Sequence, residues 1–261
     1  MDSTLKAIEE VPKDKRVIVF DLDGTLTESK VALSSDIASL LTRLMVTHKV
    51  AIIGGGSFEQ FKLQVLDHLP QQDSSFDNLF LLPLDGGSLY SYENGEWKKE
   101  YTQDLSTEEK QEIFNAFQRA FKETGYVKPR QLYGEEIEDR GSQITFSALG
   151  QNAPLDEKTK WSNEHGQDRL RLTEKLEELL SDMEAKVAGL TSIDVTKKGI
   201  DKKFGIEQLV KHLNVPISDV LFVGDAFEPD GNDTPALGAG VSCFAVKSIE
   251  DTKKLISTLL E

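Results

Sequence analysis

The chain has 261 residues, 38% hydrophobic and 29% charged, so it can bury a real core, and two modest domains are expected rather than one small one. Its formal charge of −15, from 30 Lys+Arg against 45 Asp+Glu, sets up a field that repels nucleic acid and anionic membranes, and neither is expected as a partner. A single cysteine, Cys243, excludes an internal disulfide and a multi-thiolate metal site, and the polar N-terminal stretch has no apolar run of signal or spanning length, so a cytoplasmic protein is expected.

Residues 16–20, RVIVF, form an uninterrupted β-branched and aromatic run that stops in DLDGTLT. Such runs read as strands covered on both faces in a parallel sheet. Ser34 stands as N-cap of a helix over 34–45, with Ile37, Leu40, Leu41 and Leu44 at helical spacing. A second buried strand over 49–53 closes in Gly54-Gly55-Gly56-Ser57 and leads into a helix over 58–69. From Gly87 to Lys197 the texture changes. Helix patterns over 107–123 and 167–182 mix with alternating strands over 143–149 and 192–195, the mark of sheets with one open face. The polar segment 152–169 reads as an exposed connection.

The strand and helix grammar then returns: a helix over 204–213, a strand over 220–223, the loop GDAFEPDGND, a strand in SCFAV and a helix over 249–260. The expected fold is α/β, a Rossmann-like parallel-sheet core built from residues 1–86 and 198–261 with an inserted α+β domain over 87–197. Glycines at the two crossings, Asp85-Gly86-Gly87 and Lys197-Lys198-Gly199, suit a hinge, so the insert is expected to move as a unit.

In open α/β sheets the ligand lies beyond the carboxyl ends of the strands. DLDGT, GGGS and GDAFEPDGND all fall there. Asp21 and Asp23 are two apart, so in extended chain they share a side, and Gly24 lets the backbone turn immediately after them. Asp225 offers a third carboxylate for a hard cation. A phosphorylated substrate in so acidic a chain requires a local gathering of cations or backbone N–H groups.

DLDGTLTESK, IIGGGSFEQF, IDVTKKGIDK and GDAFEPDGNDTPAL together resemble the four motifs of the haloacid dehalogenase superfamily, in its type IIB branch with an α+β cap. Over most of its length the chain is most similar to the eukaryotic-type phosphomannomutases and their prokaryotic relatives. The resemblance implies Asp21 as the nucleophile that forms an aspartyl-phosphate and Asp23 as acid and base, with its backbone carbonyl on the metal. It implies Mg²⁺ held by Asp21, Asp23 and Asp225, with Asn232 and Asp233 in or near its shell, and Lys202 as the added positive charge, Lys203 standing beside it as the rival lysine.

The second motif departs from the pattern, because the positions where relatives carry a hydroxyl are glycine here. Phosphate would therefore be met by Ser57 or by the N–H groups of Gly55 and Gly56. Lys30, Arg140, Ser192 and Asp194 are the implied substrate grips, and Gln151 stands where mutases carry a further arginine. A neutral Gln holds a dianion less well than a bidentate Arg, so hydrolysis of a hexose phosphate is placed first, phosphomannomutase second and a non-catalytic sugar-phosphate sensor last. The implied partner is a small phosphorylated molecule, with a homodimer through the cap as the expected assembly.

Overall fold

The computed structural model describes residues 11–70, 76–229 and 231–261; residues 1–10, part of the stretch read for a signal or membrane segment, lie outside these. Among the described residues no helix is long and apolar enough to cross a membrane. The chain divides into two compact units, one taking residues up to Thr102 and from Ile200 onward, the other Gln103–Gly199.

The first unit is built on β1 (Val17–Asp21), β2 (Lys49–Gly54), β3 (Leu79–Pro83), β4 (Ser88–Glu93), β5 (Glu96–Thr102), β10 (Val220–Gly224) and β11 (Ser242–Ala245), in the order β11-β10-β1-β2-β3-β4-β5. The five from β11 to β3 run parallel, and β4 and β5 add an antiparallel hairpin. Successive residues point to opposite faces. Ile18, Phe20, Val50, Ile52 and Leu81 meet Ile37 and Leu41 of α1 (Ser35–Leu44), Phe61 of α2 (Phe58–Gln64) and Leu255 of α7 (Ile249–Leu259). Val17, Val19, Ala51, Ile53 and Phe222 meet Ile206 of α5 (Lys202–Leu213) and Ala236 of α6 (Thr234–Leu237) on the other face. Double coverage is why these strands read as continuous apolar runs. Cys243 is buried in the second cluster, and burial pushes its thiol up to about 12, as for a small core hydrophobe.

The second unit is a four-stranded antiparallel sheet, β6 (Ile137–Asp139), β7 (Gln143–Ser147), β9 (Ser192–Lys197) and β8 (Met183–Ala188), in that order. Ile144, Phe146, Ile193 and Val195 pack on Phe117 of α3 (Thr107–Thr124) and Leu172 and Leu176 of α4 (Leu155–Leu179). α3 opens on a reciprocal Ser106/Glu109 capping box and ends at Gly125 in the left-handed region. The alternate residues Gln143, Thr145 and Ser147 are polar and buried.

Three expectations are corrected. The segment 155–166 is the first half of α4, not a connection; its buried residues are confined to Leu172 and Leu176 further on, so no apolar stripe announced it. β3 completes the parallel set between β2 and the hairpin. The hairpin over 88–102, assigned to the insert, pairs with β3 through Phe80↔Ser91 and Leu81↔Tyr90. Its turn, Asn94-Gly95, has both residues at positive φ, the strongest short hairpin signal a sequence carries. The second unit therefore starts after Thr102, and Gly86 is packed within the first unit: a Cβ there would stand 2.4 Å from Gly205 Cα of α5. Gly199, at φ +77 with open space around it, does lie at a boundary.

Candidate active site

β1 lies between β2 and β10, where the strand order reverses direction, the crevice in which ligands of open α/β sheets are held. Asp21 ends β1 and is buried. Gly224 ends β10 and delivers Asp225 beside it. Lys202 is the first residue of α5, whose N-cap Asp201 accepts the Phe204 N–H. Its side chain is fully buried, and Nζ donates to Asp21 Oδ1 at 2.5 Å and to Asp233 Oδ1 at 2.6 Å. Lys203 is exposed and lies 3.9 Å from Glu207, which decides between the two lysines.

Asp233 is a brace. Its Oδ1 takes Lys202, and its Oδ2 accepts the backbone N–H groups of Asp225 and Ala226, both at 2.9 Å. Thr25 Oγ1 donates to Asp225 Oδ1 at 3.2 Å. Two glycines make the approach possible: a Cβ on Gly24 would lie 2.3 Å from Asp225 Oδ2, and one on Gly224 2.3 Å from Asp233 Oδ2. Gly24 also holds φ +96. Gly24→Ala is therefore expected to destabilise the fold by about 1–3 kcal/mol and to displace Asp225, read as a lower urea midpoint together with lost activity; a variant of wild-type stability and activity would contradict this packing.

The cluster is short of positive charge. Burial, the Asp233 and the Asp225 carboxylates push Asp21 up to about 8 against the opposing pull of Lys202. Asp225 is raised by burial and by Asp233. For Lys202 burial alone favours the neutral amine, but Asp21, Asp233 and Asp85 outweigh it and hold the ammonium well above its usual value. One ammonium thus faces several carboxylates in a dry place, and ligand oxygens of Asp21, Asp225 and Asp233 all lie within 4.8 Å of one another. Hard, anionic oxygens with uncompensated charge suit a divalent cation such as Mg²⁺. Because both Asp233 oxygens are already engaged, Asp21 and Asp225 are the available donors.

The remaining expected residues are placed as follows. The Asp23 side chain is exposed and outside this cluster; its Oδ1 accepts the Lys30 N–H at 2.9 Å and Gln64 Nε2 at 3.2 Å. Lys30 itself is at φ +60. Asn232 is exposed. Ser57 serves as N-cap of α2, its Oγ accepting the Gln60 N–H and its own N–H donating to Gln60 Oε1 at 2.8 Å, and the Gly56 carbonyl accepts the Leu84 N–H. Gly55 and Gly56 form the turn before it. In the second unit, Arg140 is tied to Glu138 Oε2 through Nη2 at 2.8 Å and Nε at 3.2 Å. Ser192 Oγ lies 2.9 Å from Ser147 Oγ, and Asp194 accepts from Thr145 Oγ1 at 2.7 Å. Gln151 Nε2 donates to Ser147 Oγ at 2.5 Å.

Two contributors were not legible in the sequence. Gln64, the last residue of α2, reaches Asp23 across 41 positions, and nothing local marks it among the polar residues of that helix. Leu84, Asp85 and Gly86 all take positive φ and bring Asp85 into the field of Lys202. Non-glycine residues in that region concentrate at functional sites.

A doubly wound sheet with a buried carboxylate, its lysine and two further carboxylates at the switch point defines an α/β enzyme of phosphoryl transfer. The model of the haloacid dehalogenase-like hydrolases matches residues 18–258, and the chain belongs to that family, as an enzyme of its phosphatase and phosphotransferase type. The probable phosphomannomutase of Caenorhabditis elegans is 26% identical over 255 residues, spanning 95% of this chain and 96% of that one. The phosphomannomutase of Encephalitozoon cuniculi is 27% identical over 226 residues, spanning 84% and 83%. Among solved structures, the IMP-bound, N-terminally truncated IMP-nucleotidase of Plasmodium falciparum shares the fold with a TM-score of 0.68 at 16% identity, over 97% of this chain and 70% of that one.

Proposed function

We propose that the chain moves the phosphoryl group of a hexose phosphate through an aspartyl-phosphate on Asp21, with Mg²⁺ bound, and that it does so as a phosphomannomutase interconverting mannose 1-phosphate and mannose 6-phosphate. The observation that carries the chemistry is the buried Lys202 bridging Asp21 and Asp233 beside Asp225. The mutase reading takes precedence over hydrolysis, reversing the order drawn from the sequence, because relatives named phosphomannomutase match over most of both chains.

The Asp21 carboxylate, held by Lys202, attacks phosphorus as the bond to the sugar oxygen breaks. Asp23 gives the leaving oxygen its proton and later removes one from the attacking hydroxyl, which takes the phosphoryl group and frees Asp21. Bound Mg²⁺ supplies cancellation of the repulsion between anionic carboxylate and anionic phosphate. Asp21, Asp225 and the Asp23 carbonyl would hold it, with Asp233 keeping Asp225 and Lys202 in place and Asn232 at the rim. The N–H groups of Gly55 and Gly56 and the Ser57 hydroxyl would receive the phosphate, and Lys30, Arg140, Ser192 and Asp194 the sugar.

Hydrolysis is the second reading, and one residue favours it. Gln151 is neutral and already bonded to Ser147, so a second phosphate would lack a charge-assisted partner there. A coupled isomerisation assay with a hexose bisphosphate activator, run beside a phosphate-release assay, separates them. Fast isomerisation with little free phosphate is expected; phosphate release without isomerisation turns the assignment to a phosphatase, and Gln151→Arg should then restore transfer. Neither activity on any hexose phosphate would overturn the substrate class. In the same assays, protein stripped with EDTA should be inactive and recover with Mg²⁺, and Asp225→Ala should need more Mg²⁺ for half activity; full turnover in chelator would remove the metal.

A further inference from the structure

This chemistry leaves the deeply buried hydroxyl of Thr252 unexplained. Thr252, in the first turn of α7, is fully buried and donates to the Thr25 carbonyl at 2.7 Å, a contact spanning 227 residues. Thr25 is equally buried, and its hydroxyl donates in turn to Asp225 Oδ1. The start of α7 is fixed independently of this contact, by Ser248 accepting the Asp251 N–H and by Leu255 and Ile256 in the core.

We infer that Thr252 is a positioning residue for the cation-binding carboxylate Asp225, acting through Thr25. The inference rests on the reading of Asp225 as an oxygen donor to Mg²⁺. The relay has little slack, since a Cβ on Gly24 would already stand 2.3 Å from Asp225 Oδ2. The turn after β1 and the Asp225 carboxylate are thus in direct contact, and a small shift of the Thr25 backbone reaches the carboxylate undamped. Without the Thr252 hydroxyl, the Thr25 carbonyl loses a donor in a fully buried place. The turn then relaxes towards other partners and takes the Thr25 hydroxyl with it. Residues behind a metal ligand commonly set affinity in this way.

The test is Mg²⁺ binding to the full chain by titration calorimetry, well below the unfolding midpoint, with circular dichroism as the check on folding. Thr252→Val keeps the shape and removes the donor; it is expected to weaken Mg²⁺ binding about 10-fold, while Thr252→Ser, which keeps the hydroxyl, stays close to wild type. Wild-type affinity in Thr252→Val, or equal weakening in both variants, overturns the inference. Should the valine variant not fold, Thr252→Cys, a weak donor of serine's size, takes its place, and unchanged affinity there overturns it equally. Failure of Mg²⁺ to bind the wild-type protein overturns the reading of Asp225 itself, and the relay with it.

Discussion

Asp21→Asn is expected to cut turnover on the order of 10³-fold or more while leaving the protein folded and, in chelator, more stable than wild type above neutral pH. The amide matches the carboxylate in shape and still accepts from Lys202, but it is a poor nucleophile and carries no charge. The stability gain follows from the raised carboxyl. A group whose folded value is about 8 against an ordinary 3.8 contributes stability that is fully present below the lower value and lost as pH rises through the higher one. The asparagine has no such loss. Thermal unfolding in EDTA should therefore give midpoints that diverge in favour of the variant between about pH 4 and pH 8. Substantial phosphate turnover by the variant would end the covalent mechanism. A midpoint below wild type at pH 8 would mean that the Lys202 pairing, not the charge shortage, dominates the cluster.

Lys202→Met should be the more damaging change to the fold. Its ammonium is the group that both Asp21 and Asp233 contact, and removing one partner of a buried ion pair costs about 3–5 kcal/mol because the remaining charges have no compensation. Lys202 is held protonated at every working pH, so in the wild-type protein its own charge does not titrate away. In the variant the carboxylates can be relieved only by protonation. The deficit in urea-unfolding free energy is therefore expected to be largest near pH 8 and to shrink towards pH 5, with activity lost throughout. Lys202→Arg should not rescue it, since a planar guanidinium does not fit a site that encloses the lysine completely. A methionine variant as stable as wild type at pH 8 would show that the cluster is not organised around this charge.

The sequence by itself determined the α/β parallel core, β3 apart, and the class of enzyme. Runs such as VIVF and VLFV are apolar without interruption because both faces of the sheet are covered, and DLDGT and GDAFEPDGND stand at their carboxyl ends, where open α/β sheets hold their ligands. Ser34 marked a helix start because capping is local. Tertiary structure decided what depends on distant neighbours. The first half of α4 and the hairpin of β4 and β5 changed assignment because packing and strand pairing, not periodicity, placed them. Lys202 was separated from Lys203 by a helical rotation of one residue, which buries one ammonium among carboxylates and leaves its neighbour in water. Gln64 on Asp23, and Thr252 behind Thr25, join residues 41 and 227 positions apart. No local pattern encodes a contact of that kind, because the hydrogen bond forms only after the sheet has brought its two ends together.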